Sequence, residues 1–105
     1  MGEAEQGLTI VSVLRIPVRP EAASSFADRF RQFGVFERSR ESGGFLGGRL
    51  LRPLSAGTSF LVVAEWESAH SYRTWLDNPA RGELAAELEP LLLDEVVAGE
   101  LYEEA

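Results

Sequence analysis

Cysteine is absent from this 105-residue chain, which excludes disulfide staples, iron–sulfur clusters, thiolate zinc sites and cysteine nucleophiles. Histidine is nearly absent too, with His70 the single example. No stretch approaches the ~18–20 unbroken apolar residues that a membrane span needs. The opening Met1-Gly2-Glu3-Ala4-Glu5-Gln6-Gly7 is acidic and lacks the apolar segment of a secretory signal, so residues 1–7 are expected to be a short tail and the protein cytoplasmic. Positive charge is also in short supply. The formal net charge is −7, from 17 Asp plus Glu against 10 basic residues, all arginine and scattered. Such a field repels polyanions, so neither nucleic acid nor an anionic membrane surface is an expected partner. No spacing of acidic residues or histidine suggests a metal site.

What remains is an ordinary globular composition, 45% hydrophobic and 26% charged, in a length that suits one core. The reading is therefore a single domain over residues 1–105, with 103–105 as a second tail. Arginine in place of lysine and abundant alanine are reminiscent of high-GC bacteria.

Residues Leu8 to Val18 predict a first strand. Leu8, Ile10, Leu14 and Ile16 fall on one face and Val11 and Val13 on the other, so both faces are apolar and both need cover. Pro20-Glu21 opens a helix, proline being suited to a first helical position. Phe26, Phe30 and Phe33 recur at i, i+4 and i+7 and make a core stripe, with Asp28, Arg29, Arg31 and Gln32 outside. The pattern runs on through Phe36 and stops at Ser42-Gly43-Gly44. A second strand is predicted from Phe45 to Leu54, where Gly47 and Gly48 signal a bulge or close backbone approach. Ser55-Ala56-Gly57-Thr58 is a hairpin turn. A third strand, Ser59 to Trp66, is again apolar on both faces. A helix from Ala69 to about Asp77 turns Ala69, Tyr72, Leu76 and Trp75 inward, and Asn78-Pro79 breaks it. A helical piece from Ala80 to Leu88 and a fourth strand from Glu95 to Tyr102 complete the order β-α-β-β-α-β. This is the ferredoxin-like α+β arrangement, with two helices covering one face of a four-stranded antiparallel sheet. The other face, being apolar, is expected to meet the same face of a second copy, giving a homodimer.

Two runs carry a family resemblance. Phe60-Leu-Val-Val-Ala-Glu-Trp66-Glu-Ser-Ala-His-Ser-Tyr72-Arg-Thr-Trp75-Leu-Asp-Asn-Pro resembles the third-strand and second-helix segment of the antibiotic biosynthesis monooxygenase family, and Gly43-Gly-Phe45-Leu-Gly-Gly-Arg-Leu-Leu resembles its second strand. With the element order, the resemblance covers nearly the whole chain and implies a dimeric α+β barrel. Members of that family oxidise anthrone-type intermediates with O2 and no cofactor, open haem, or handle quinols and small hydroxy-carbonyl compounds. The haem-degrading pattern has a first-strand Asn, a second-helix Trp and a later axial His. Here Trp75 fits the Trp, whereas the other positions read Leu14 and about Ala85, and no His follows His70. The anthrone-oxidising pattern matches through Trp66-Glu67-Ser68 and Tyr72-Arg73, but its Asn four residues before the Trp reads Val62 and its later helix Arg reads Ala85.

The resemblance implies cofactor-independent, metal-independent oxygenation of a small, flat, hydrophobic aromatic such as an anthrone or quinol. Alternatives are a non-catalytic binding or accessory dimer on the same fold, and an isomerase or quinol-handling enzyme. Trp66 and Tyr72 are the candidate catalytic residues. The indole N–H of Trp66 could donate to a substrate carbonyl, or simply be satisfied within the core. The Tyr72 phenol could hold a developing enolate, or sit at the surface. Trp75, Phe30, Val62 and Ser12 are the candidate substrate-binding residues, with Trp75 able to stack on a flat ligand or to anchor the helix. His70 lies about 200° around the helix from Tyr72 and is expected to face solvent. Arg15 and Arg49 interrupt apolar strands. They serve an enolate if they face the pocket, or pair with Glu65, Glu95 or Glu100 if they face a second copy.

Overall fold

The computed structural model describes residues 9–55, 59–96 and 98–105. Its strands are β1 (Ile10–Ile16), β2 (Phe45–Leu51), β3 (Phe60–Trp66) and β4 (Glu100–Glu103). Its α-helices are α1 (Ala23–Gln32), α2 (Val35–Ser42), α3 (Ala69–Leu76) and α4 (Pro79–Leu88), with single 3-10 turns at Pro20–Ala22 and Glu89–Leu91. The sheet order is β2-β3-β1-β4, and every described pairing is antiparallel. The expected ferredoxin-like α+β class is therefore the observed one.

Several boundaries differ from expectation, the third strand by one residue at its start. The predicted first helix is two helices, because Gly34 adopts a left-handed conformation (φ 65°) that ends one and caps the next. The first strand stops at Ile16, and Val18 instead forms an isolated bridge with Leu92. The second strand stops at Leu51 rather than Leu54, whose side chain is fully exposed. The fourth strand begins at Glu100 rather than Glu95 and includes Glu103, expected in the tail. Residues 1–8, including the expected tail and Leu8, and Ala56-Gly57-Thr58 of the expected turn lie outside the described residues.

The helix boundaries have local causes. The hydroxyl oxygen of Ser68 accepts the Ser71 N–H at 3.1 Å and starts α3. Asn78 Oδ1 accepts the Ala80 N–H at 2.9 Å, and Pro79 occupies the first turn of α4. The expected break at Asn78-Pro79 is thus also a start.

The strand register sorts the side chains. Ser12, Leu14 and Ile16 stand opposite Ala64, Val62 and Phe60 on the face under the helices. Val11, Val13 and Arg15 stand opposite Glu65, Val63 and Leu61 on the other face. Phe26 and Phe30 of α1 are buried on the covered face, where Phe26 meets Phe60 edge-on at 5.0 Å between ring centroids. Burying one such ring contributes about 1.5–3 kcal/mol. Gly48 permits a close approach of helix to sheet. A Cβ there would lie 2.6 Å from the Phe36 ring. The bulge anticipated nearby falls between Phe45 and Gly47. The expected close approach and bulge in this strand are both present.

Candidate functional site

Between the helices and the covered sheet face lies a cavity of about 700 Å³. All six sequence-selected residues line it: Ser12, Phe30, Val62, Trp66, Tyr72 and Trp75. They come from four elements. β1 supplies Ser12, β3 supplies Val62 and Trp66, α1 supplies Phe30, and α3 supplies Tyr72 and Trp75 one turn apart. All six are buried.

The wall is mainly aromatic. Phe30, Phe36, Phe45, Trp66 and Tyr72 form a chain of ring contacts with successive centroids 5.2–5.7 Å apart. The edge-on Trp66–Tyr72 contact, with centroids 5.5 Å apart, ties the end of β3 to α3. Leu14 and Val62 are direct cross-strand partners, and Ala85 also lines the cavity. The three positions that depart from the family's polar pattern therefore converge on one space and leave it apolar.

Polar atoms in the wall are few. The Trp66 indole N–H donates to Ser12 Oγ at 3.0 Å, both groups being buried. The Tyr72 phenol oxygen accepts the Gly99 N–H at 2.7 Å. Ser39 of α2 also lines the cavity, but its hydroxyl donates to the Val35 carbonyl at 2.9 Å. Arg19, Arg81, Glu89, Asp94 and Glu95 add charge to the lining, and several of them are exposed at its mouth. Among the described residues the one ion pair lies elsewhere, between exposed Asp28 and Arg31 at 3.8 Å.

Sequence reasoning did not single out Ser39, Gly99 or Leu92 to Asp94, and it read Glu95 and Val96 as strand rather than as cavity lining. The Ser12–Trp66 link joins residues 54 apart in sequence. The strand register would have found it, since Ser12 lies opposite Ala64 and Trp66 follows two residues later on the same face.

His70 is exposed, as expected, and is not among the lining residues. Arg15 and Arg49 belong to the face away from the cavity, which resolves the choice left open for them. Glu65 and Glu100 share that face, whereas Glu95 lines the cavity. There the Tyr102 hydroxyl donates to Glu100 at 3.1 Å, and this bond and the adjacent carboxylate charge hold the phenol above its ordinary pKa. Among the described residues no group of three or more His, Cys, Asp or Glu could hold a metal ion, and no helix is long and apolar enough to cross a membrane.

The antibiotic biosynthesis monooxygenase model matches residues 9–87. The chain belongs to this family. It is 32% identical over 72 residues to a mycobilin-producing heme oxygenase of Mycobacterium tuberculosis, a match covering 67% of this chain. The chain spans 63% of the length of that relative. Among solved structures, a conserved protein from Methanosarcina mazei superposes with a TM-score of 0.76 at 17% identity, covering 98% of this chain and 99% of its own. A Streptomyces coelicolor monooxygenase in complex with the ligand nanaomycin D superposes with a TM-score of 0.69 at 25% identity, covering 97% of this chain and 90% of its own.

The name of the Mycobacterium relative raises haem, and the donor set can be tested against it. A proximal ligand is normally His, Cys, Met or Tyr. The chain has no cysteine, its single histidine is exposed outside the cavity, and its one methionine is residue 1. Tyr72 is the lining residue of a suitable type, and its oxygen is engaged by the Gly99 N–H. These residues do not fit a haem held as in the family pattern.

Proposed function

We propose that the protein is a cofactor-independent monooxygenase that oxidises a small, flat aromatic of the anthrone or quinol type with O2. The observation that carries this reading is the aromatic cavity of about 700 Å³, into which few polar side chains converge. An anthrone methylene loses a proton, and its carbanion passes electrons to O2. The balanced outcome is one oxygen atom in the new carbonyl and the other in water. The protein's part is to favour the ionised substrate and to exclude water from the reactive pair. Tyr72 is the residue assigned to the substrate oxygen, Trp66 braces it through their edge contact, and Trp75, Phe30 and Val62 are assigned to the substrate ring. The Streptomyces structure supports the ligand class, because the ligand it holds is nanaomycin D.

The working unit in this proposal is a homodimer. The uncovered sheet face carries Val11, Val13, Leu61 and Val63 together with Arg15, Arg49, Glu65 and Glu100. A face with both an apolar centre and charges of both signs can complement its own copy across a two-fold axis.

A second reading, a binding dimer without turnover, is favoured by the engagement of the Trp66 N–H with Ser12 and by the apolar groups at Val62 and Ala85. Oxygen uptake separates the two. Uptake by the purified protein with a panel of anthrones and quinols, no cofactor added, should saturate with substrate and fall in Trp66→Phe and Tyr72→Phe. Uptake no faster than the buffer blank across the panel would favour the binder.

A further inference from the structure

We propose that Ser12 and Tyr72 form a two-hydroxyl seat for one acceptor oxygen of the ligand, a ketone or quinone carbonyl or the enolate derived from it. Trp66 is then a positioning residue whose N–H holds Ser12. This deepens the oxygenase reading by naming the group that the cavity recognises.

Among the described residues three buried hydroxyls, of Ser12, Ser39 and Tyr72, line the cavity, and their protons have different fates. The Ser39 O–H is engaged by the Val35 carbonyl inside its own helix. Ser12 and Tyr72 instead act as acceptors, of the Trp66 indole N–H and the Gly99 backbone N–H respectively. Each of these oxygens already receives a donor, so each retains an O–H to give. Among the described residues neither O–H finds an acceptor. Ser12 is only 4% exposed, and its neighbours across the sheet on the cavity face, Ala64, Val62 and Trp66, are apolar or aromatic. A buried donor left without a partner is unfavourable, and a ligand oxygen would relieve it.

The backbone brings the two hydroxyls to one stretch of β1. A Cβ placed on Gly99 would lie 3.0 Å from the Tyr72 oxygen and 3.0 Å from the Val13 carbonyl oxygen, next in sequence to Ser12. Gly99 therefore lets the tyrosine tip reach β1 at Val13, the residue that follows Ser12. The Trp66 ring, bonded to Ser12 and in edge contact with Tyr72, braces both. Two O–H donors directed at one oxygen favour its anionic form, because charge-assisted hydrogen bonds are about twice as strong as neutral ones. The seat thus selects a flat ligand with a carbonyl oxygen at its edge and stabilises that ligand's enolate.

The test titrates anthrone bound to the homogeneous protein under argon, following enolate absorbance against pH. In the wild type, bound anthrone should ionise at least about one pH unit below free anthrone. Ser12→Ala should remove most of that shift, and Ser39→Ala should leave it unchanged. The double variant Ser12→Ala/Trp66→Phe removes both partners of the buried bond, and so separates loss of the seat from damage to packing. It too should lose the shift. Failure of the wild type to bind anthrone, an unshifted ionisation, or a full shift in both Ser12 variants would overturn the seat. A shift that depends on Ser12, without oxygen uptake on admitting air, would keep the seat and refute the oxygenase.

Discussion

The two faces of the sheet differ although both are apolar in sequence. On the covered face the side chains interlock with α1 and α3, Phe26 is fully excluded from solvent, and the space left over is a cavity with buried hydroxyls. On the other face Val11, Val13, Leu61 and Val63 are only half-buried, Leu51 and Tyr102 are exposed, and arginine and glutamate interrupt the apolar rows. In the proposed function one hydrophobic pattern serves two purposes: large rings with isolated hydroxyls would form a ligand chamber, and β-branched residues flanked by opposite charges would meet a second copy. Hydrophobicity alone does not separate these purposes, but the polar residues interleaved with it do.

The division can be broken from either side. Phe26→Ala, on the covered face, should have the largest effect and lower unfolding free energy by about 3–5 kcal/mol in urea titrations, since the ring is deleted from a fully packed site. Val63→Lys, at the centre of the open face, should leave the fold intact but bury an unpaired charge in the proposed interface. Sedimentation should then give a particle of 11.6 kDa, where the wild type gives twice that. Ser12→Ala strands the Trp66 N–H and should cost about 1–3 kcal/mol of stability without changing association. Asp28→Ala, in an exposed pair on the outside of α1, should change stability by less than about 1 kcal/mol.

Much of this contrast was legible in the residues. The two-sided apolar character of β1 and β3 announced that both sheet faces need cover, and the phenylalanine spacing located the inner side of α1. The inward placement of Tyr72 and Trp75, and the outward placement of His70, followed from helical geometry. The break at Gly34 was hidden because the aromatic pattern runs through it to Phe36, and a single left-handed residue leaves no mark on periodicity. The start of β4 was placed too early because Glu95 and Val96, which read as strand, line the cavity instead. The engagement of the Trp66 N–H depends on cross-strand register, which no local window of sequence contains.

In the proposed function this cavity inserts an oxygen atom from O2 into a flat aromatic with no added cofactor. The direct measurement is mass spectrometry of the product from an anthrone incubated with the purified protein under isotopically labelled O2. The account predicts one labelled oxygen per quinone, formed faster than in buffer and more slowly in Tyr72→Phe. Unlabelled product, or labelled product formed no faster than in buffer, would contradict it.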